Sequence, residues 1–150
     1  MPVKRHYHRG FTLVEILVTV AILAVVVAVA VPSYQSYVRK AELQELADQF
    51  LQLELIINDH AIRRGYPADN HIAPPPGVDV PNYWGDVTEI GGSFNWEGPD
   101  RDGYPGIAVF GATAPRSDLL LLDSLLDDGD LNAGRFFINP NGGRPTYRID

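Results

Sequence analysis

An apolar run near the N-terminus constrains this chain more than any other feature. Residues 11–31 read FTLVEILVTVAILAVVVAVAV and carry one charge, at Glu15. With a rise of about 1.5 Å per residue, a helix of this length spans about 30 Å, which is the thickness of the hydrocarbon core of a bilayer. The run therefore predicts a membrane-spanning helix.

Glu15 lies inside this run, close to its start. An ionised side chain in the hydrocarbon costs about 2.5–3.5 kcal/mol even on lenient insertion scales, so such residues are rare unless they have a function. The cost is tolerable only beside a partner of opposite charge. We therefore expect Glu15 to pair with a cationic group.

Charges are distributed unevenly along the chain. Lys4, Arg5 and Arg9 precede the apolar run, and the first ten residues contain no acid. By the positive-inside rule, this end stays in the cytoplasm and the remainder is exported. From residue 11 onward there are nine Lys or Arg and nineteen Asp or Glu, a net charge of −10. So acidic a region repels phosphate backbones, and we expect it to bind no nucleic acid.

Other classes of site are excluded by residue type. The chain has no cysteine, so it forms no disulfide, thiolate metal site or cysteine nucleophile. It also lacks a Ser-His-Asp elbow, a glycine-rich phosphate loop and an HExxH motif. The sequence therefore predicts a protein that is not an enzyme.

Two conventional interpretations of the apolar run explain Glu15 poorly. The run could be a secretory signal cleaved after Ala30, since small residues stand at Ala28 and Ala30. Such apolar regions are about 7–15 residues long, however, which is shorter than this run. It could also be a simple membrane anchor. Either interpretation would make the protein a monomeric, anchored or secreted acidic binding domain with no filament role.

The residues GFTLVE, from Gly10 to Glu15, resemble the processing signature of type IV pilins and of the pseudopilins of type II secretion. The resemblance implies that a prepilin peptidase cleaves between Gly10 and Phe11 and that Phe11 becomes N-methylated. Glu15 matches an acidic residue that guides assembly by pairing with the N-terminal amine of a neighbouring subunit. Pro32 matches a proline at which the helix leaves the membrane and loosens during polymerisation. The alternative for Pro32 is that it simply ends the helix.

The resemblance also implies a function. The chain would be a structural subunit of a type IV pilus-like filament or of a type II secretion pseudopilus. Its partners would be prepilin peptidase, copies of itself and other pilin-like subunits, and an inner-membrane assembly platform. It would span the inner membrane once with its head outside the cytoplasm, and then enter a periplasmic or cell-surface filament.

The implied fold is α+β and pilin-like, with a long N-terminal helix packed on a small antiparallel sheet. We divide the chain into a basic leader (1–10), a transmembrane or filament-core helix (11–32), an amphipathic helix (33–64) and a head (65–150). The amphipathic part has an apolar stripe at steps of three and four residues. Its members are Leu43, Leu46, Phe50, Leu53, Ile57 and Ala61.

Patterns in the head predict one helix and four strands. A leucine-rich helix is expected over residues 117–128, with Ser117 or Asp118 as its N-cap. The turn sequence NPNGGRP predicts that the last two strands form a hairpin. The expected strands are Ser93–Trp96, Ile107–Phe110, Phe136–Ile138 and Thr146–Ile149.

One segment of the head has the composition of a metal-binding loop. DDGDLNAG, residues 127–134, offers the oxygen ligands Asp127, Asp128, Asp130 and Asn132, which suit calcium, although the spacing does not match an EF-hand. The resemblance adds that some pseudopilins carry calcium in a C-terminal acidic loop. The alternative is a helix end followed by a polar turn, with Gly129 in the left-handed conformation. The polar turn is the favoured interpretation, so the sequence predicts no cofactor and leaves calcium as the one candidate.

Overall fold

The computed structural model describes residues 10–68, 73–140 and 142–150. Most of the predicted leader, residues 1–9, lies outside them. The chain divides into two compact units, with the boundary between Val38 and Arg39. A long helix and a small antiparallel sheet confirm the α+β class. The elements are α1 (Leu13–Arg64), β1 (Ser93–Glu97), α2 (Pro99–Asp102), β2 (Gly106–Phe110), α3 (Arg116–Leu126), β3 (Phe136–Ile138) and β4 (Pro145–Arg148).

Helix α1 is 52 residues long and passes through Pro32 without a break. The interpretation that Pro32 ends the helix is therefore wrong. A proline removes one hydrogen bond and costs about 3 kcal/mol inside a helix. Here uninterrupted turns flank it on both sides, so the loss stays local. The helix ends where Gly65 adopts a φ of +84° and its N–H donates a 2.8 Å hydrogen bond to the carbonyl of Ala61.

The first unit exposes its apolar side chains. Its large hydrophobic residues from Phe11 to Val31 have exposed fractions between 46% and 85%. Within the described part of the chain, α1 is the one helix that is long and apolar enough to cross a membrane. So much exposed apolar surface is unfavourable in water, so this unit requires an apolar environment.

The second unit contains the hydrophobic core. The predicted stripe on α1 is confirmed, since five of its residues are completely buried and only Ala61 is partly exposed. The ring of Phe50 is central to this core, because its centroid lies 5.3–5.9 Å from those of Phe94, Phe136 and Tyr147. Trp96 is also completely buried, and its indole N–H donates a 3.2 Å hydrogen bond to the carbonyl of Pro67.

The four strands form one antiparallel sheet in the order β1-β2-β4-β3. All four predicted strands are confirmed, with ends that differ by at most one residue. The predicted β3–β4 hairpin is confirmed too. In the central strand β4, Tyr147 pairs with Ile107 on one side and Phe136 on the other. This register places the Tyr147 side chain in the middle of the core.

The predicted N-cap of α3 is wrong. The N-cap is Pro115, which makes no capping hydrogen bond through its side chain. Ser117 and Asp118 both lie inside the first turn of the helix. The Asp118 carboxylate instead accepts a 2.7 Å hydrogen bond from Nε of Arg39 on α1. This ion pair links the start of α3 to α1, so Asp118 joins two elements of the second unit and does not cap a helix.

Candidate functional sites

The predicted cleavage point lies in an exposed, irregular stretch. Gly10 and Phe11 precede the first residue of α1, Leu13, and Phe11 is 85% exposed. A Cβ atom built on Gly10 would meet nothing within 4 Å. The Gly10–Phe11 peptide bond is therefore accessible with respect to the described residues, which protect it neither by helical hydrogen bonds nor by packed side chains. Cleavage and methylation at this bond stay predictions.

Thr12 and Glu15 form a capping box at the start of α1. The backbone N–H and the hydroxyl of Thr12 each donate a 2.8 Å hydrogen bond to Oε2 of Glu15. In return, the Thr12 hydroxyl oxygen accepts a 3.2 Å hydrogen bond from the backbone N–H of Glu15. This reciprocal pattern satisfies two donors that the first turn of a helix leaves free. The T-x-x-E spacing at residues 12–15 was the signal in the sequence for this capping box, although Thr12 is not among the predicted site residues.

The capping box holds the Glu15 carboxylate beside the predicted cleavage point. Phe11, the residue that cleavage would convert into the N-terminus, directly precedes Thr12. Oε2 of Glu15 accepts both hydrogen bonds that Thr12 donates. No described residue donates a hydrogen bond to Oε1, so this oxygen is available to another donor. The site thus offers one oxygen to its own helix and one to a partner.

A family model described as the prokaryotic N-terminal methylation motif matches residues 5–31. The N-terminal segment is type IV pilin-like. The match includes the exposed Gly10–Phe11 bond, the Thr12–Glu15 capping box and the apolar part of α1 as far as Val31. The matched region ends at Val31, one residue before Pro32.

Curated relatives agree with this resemblance over part of their length. Prepilin peptidase-dependent protein D of Escherichia coli K12 is 37% identical over 38% of this chain and 39% of the relative. Fimbrial protein EcpC of Eikenella corrodens is 30% identical over 46% of each chain. The type IV major fimbrial protein FimA of Dichelobacter nodosus is 33% identical over 33% of this chain and 31% of the relative.

The chain spans less than half the length of these three relatives. No solved structure matches the chain. The comparisons therefore support a pilin-like N-terminal segment.

Three aspartates come together where α3 ends. Asp123, Asp127 and Asp128 each direct a carboxylate oxygen to within 4.8 Å of the other two. Asp130 and Asn132, which the sequence analysis included among the calcium ligands, instead bond to each other. Oδ1 of Asp130 accepts hydrogen bonds of 3.1 Å and 2.8 Å from the backbone and side-chain nitrogens of Asn132. The structure thus groups Asp127 and Asp128 with Asp123.

Asp123 is the residue of this cluster that sequence reasoning missed. It lies on α3, four residues before Asp127, and i and i+4 residues of a helix share a face. That spacing was the available signal. Gly129 has a φ of +83°, which confirms the predicted left-handed turn after the helix.

The electrostatics of the two aspartate groups differ. Burial, followed by the charges of Asp128 and Asp127, raises the pKa of Asp123 to about 6. The hydrogen bonds from Asn132 lower the pKa of Asp130. Asp130 is therefore a satisfied, ionised carboxylate at neutral pH, whereas Asp123 lies where a negative charge is unfavourable unless a cation or a proton offsets it.

Proposed function

We propose that this protein is a structural subunit of a type IV pilus-like filament or of a type II secretion pseudopilus. Prepilin peptidase cleaves it after Gly10, Phe11 is N-methylated, and the subunits assemble through α1. One observation carries the proposal: the methylation motif of residues 5–31 leads into a long helix whose apolar first part is exposed. The subunit is structural, and the enzyme in this pathway is the peptidase.

Exposed apolar surface explains membrane insertion but not assembly. Burial of a Val, Leu or Ile side chain contributes about 1.5–3 kcal/mol relative to exposure in water. Lipid tails already supply such an apolar environment, so moving the helix from bilayer to filament core adds no comparable hydrophobic gain. Specific pairing must therefore come from polar groups and from close packing. In this segment Glu15 is the one charged residue between Phe11 and Val31.

Assembly pairs Glu15 with the N-terminal amine of a neighbouring subunit. Oε2 stays in the capping box with Thr12, while Oε1 accepts a hydrogen bond from the protonated amine. Both carboxylate oxygens therefore have a hydrogen-bond donor in the assembled state. A carboxylate in a bilayer is costly unless paired, so the pairing penalises any register that leaves Glu15 alone. Glu15 therefore sets the axial register between subunits.

The partners and location follow from this function. Prepilin peptidase, other pilin-like subunits and an inner-membrane assembly platform act on or with the chain. Before assembly, α1 anchors the protein in the inner membrane with residues 39–150 outside the cytoplasm. Lys4, Arg5 and Arg9 in the leader suit this topology, because basic residues beside a membrane-spanning helix stay on the cytoplasmic side.

Mass spectrometry of the N-terminal peptide tests the processing step. The membrane fraction and the filaments sheared from cells are digested separately, and the first residue and its mass are determined. We expect a start at Phe11 with one added methyl group, and deletion of prepilin peptidase should restore the leader. A start at Val31 would show cleavage by signal peptidase after Ala30 and would overturn the proposal.

Replacement of Glu15 tests the assembly step. Glu15→Leu removes the pairing charge, and Val18→Leu serves as a control because it alters an exposed apolar residue one turn further along the helix. We expect both variants to be processed at Phe11 and only Glu15→Leu to lose filament incorporation, by about tenfold or more. If Glu15→Leu entered filaments at the wild-type level, an assembly role for this residue would be contradicted.

A further inference from the structure

Two exposed tyrosines follow the apolar part of α1. Tyr34 is 70% exposed and Tyr37 is 78% exposed, and both belong to the first unit. Because they lie three residues apart in a helix, they are neighbours on one face. No described residue bonds to either phenolic hydroxyl, unlike that of Tyr66, which donates a 2.8 Å hydrogen bond to Asn58. Both rings and both hydroxyls are therefore presented to the surroundings of the helix.

The serines beside these tyrosines are satisfied within the helix. The hydroxyl of Ser33 donates a 3.3 Å hydrogen bond to the carbonyl of Val29, and that of Ser36 donates one of 2.8 Å to the carbonyl of Ser33. Polar groups with partners inside their own helix are compatible with surroundings that hold little water. This turn of α1 thus suits the boundary between the hydrocarbon and the aqueous phase.

The rise of the helix places both tyrosines at that boundary. Helix α1 continues through Pro32, so the Cα atoms of Tyr34 and Tyr37 lie about 4.5 Å and about 9 Å beyond Val31 along the axis. The polar layer on each side of the hydrocarbon is about 5–7 Å thick. A helical side chain leans toward the N-terminus of its helix, so the Tyr37 ring reaches back into this layer.

The tyrosines also continue an exposed apolar stripe. Val27 and Val31 precede Tyr34 by seven and three residues, so the three side chains share one face of α1. The two valines are 54% and 46% exposed. In a membrane-inserted monomer this face contacts lipid. Tyrosine is enriched at membrane interfaces because its ring is apolar while its hydroxyl forms hydrogen bonds.

We infer that Tyr34 and Tyr37 bind the lipid headgroup layer on the outer side of the inner membrane. Their rings lie beside the glycerol and ester groups, and their hydroxyls donate hydrogen bonds to lipid oxygens. This inference rests on the proposed membrane insertion of α1 and adds the residues that fix its depth. Leu13 lies about 32 Å from Tyr34 along the axis, so the anchor holds the Gly10–Phe11 bond at the cytoplasmic edge of the bilayer.

Tryptophan fluorescence in lipid vesicles tests the depth of both positions. Full-length Tyr34→Trp and Tyr37→Trp are reconstituted in phosphatidylcholine vesicles whose lipids carry bromine, a short-range quencher, either near the ester groups or near the chain ends. Wild-type protein supplies the background from Trp84 and Trp96. Shallow bromines should quench both variants about twofold or more better than deep ones, because tryptophan keeps the interfacial preference of tyrosine.

Ile22→Trp separates this inference from the proposed function. Ile22 lies near the middle of the apolar run and is 59% exposed, so deep bromines should quench this variant better than shallow ones. If neither bromine quenches it, α1 does not enter the bilayer and the proposed function fails. If deep bromines quench it while Tyr34→Trp and Tyr37→Trp show only the background, the two rings face water or a neighbouring subunit, and the inference is overturned. Stronger quenching of those two variants by deep bromines would overturn it as well.

Serine replacement tests whether the tyrosines fix the depth of α1. Tyr34→Ser and Tyr37→Ser are introduced together into Ile22→Trp, and Tyr66→Ser is the control because Tyr66 belongs to the second unit. Without interfacial anchors the helix slides and tilts more freely, so the excess of deep over shallow quenching at position 22 should fall about twofold. The control should match Ile22→Trp alone. An undiminished excess in the doubly substituted helix would show that α1 keeps its depth without the tyrosines and would overturn their role as an anchor.

Discussion

The phenolic hydroxyl of Tyr147 donates a 2.8 Å hydrogen bond to Oε2 of Glu54. Glu54 lies on α1, and Tyr147 is completely buried on the central strand β4. The other carboxylate oxygen of Glu54 accepts a hydrogen bond from the guanidinium of Arg135, whose Cζ lies 4.8 Å from the centre of the Tyr147 ring. The three residues form a polar link between helix and sheet in a chain that has no disulfide to join them.

We expect Tyr147→Phe to lower the free energy of unfolding by about 1–3 kcal/mol. The substitution keeps the ring and leaves Oε2 of Glu54 without its donor, which costs more than the loss of an exposed hydrogen bond. Tyr83→Phe is the matched control, because the Tyr83 hydroxyl donates an exposed 2.8 Å hydrogen bond to Gln52. Urea unfolding of the full chain in detergent, followed by the fluorescence of the buried tryptophans, measures both. An equal loss of unfolding free energy in the two variants would show that the hydrogen bond from Tyr147 to Glu54 stabilises the fold no more than an exposed one.

The same contact predicts sensitivity to alkaline pH. Burial, and secondly the hydrogen bond to Glu54, raise the pKa of Tyr147 above its ordinary value of about 10. Above about pH 10 the unfolded chain releases this proton while the folded protein retains it, so stability falls as the pH rises. Urea titrations between pH 9 and pH 11 should therefore show that the free energy of unfolding falls more steeply for wild type than for Tyr147→Phe. Parallel declines would show that ionisation of Tyr147 does not contribute to the loss of stability.

Two glycines with similar backbone angles should respond differently to alanine. Gly92 and Gly103 have φ values of +72° and +80°. A Cβ atom on Gly92 would overlap the carbonyl oxygen of Phe110 and lie 2.7 Å from the carbonyl carbon of Gly111, whereas one on Gly103 meets nothing within 4 Å. Gly103→Ala should thus cost about 1 kcal/mol of backbone strain.

Gly92→Ala should cost several times more, because backbone atoms must also move at the end of the β1–β2 pair. Thermal unfolding of the two variants, compared with wild type, gives the difference in Tm. A drop in Tm for Gly103→Ala as large as that for Gly92→Ala would indicate that strain at positive φ dominates and that the close approach to Phe110 does not matter.

Periodic features could be predicted from the sequence. The stripe on α1 was correct because burial recurs there every three or four residues. The strands were located by their short apolar runs between turn residues, since β1 and β2 are each buried at four consecutive residues. The Glu54–Arg135 contact was beyond such reasoning, since 81 residues separate the partners and their meeting depends on the tertiary fold. The N-cap of α3 was wrong for a similar reason, because the Asp118 carboxylate pairs with the distant Arg39.

The candidate sites divide in the same way. The methylation motif is a contiguous pattern, so Gly10, Phe11 and Glu15 could be predicted as site residues from their resemblance to a known signature. Asp123 was missed because it lies within a leucine-rich helix, where its burial and its approach to Asp128 depend on how the following loop folds back. Local spacing could have suggested Asp127 as a neighbour of Asp123, but not the complete burial of Asp123.

Thr12 offers a test of how the start of α1 prepares Glu15 for assembly. Thr12→Val keeps the shape of the side chain and removes the hydroxyl that both donates to Oε2 of Glu15 and accepts from its N–H. Loss of such a cap costs about 0.5–2 kcal/mol of helix stability, so the first turn should fray. Thr19→Val is the control, since the Thr19 hydroxyl donates a 2.6 Å hydrogen bond to the Glu15 carbonyl and contacts no part of its carboxylate.

Amide exchange at residues 13–16 and filament yield should both respond to Thr12→Val. The exchange should be several times faster than in wild type, because the amides of the first turn lose their acceptor and the helix opens more often. A carboxylate that only the backbone N–H of residue 12 still holds beside Phe11 must lose more conformational freedom to pair with a neighbouring amine, so filament yield should fall while processing at Phe11 continues. Thr19→Val should match wild type in both measurements. Rapid exchange together with an undiminished filament yield would show that assembly does not depend on the position in which the capping box holds Glu15.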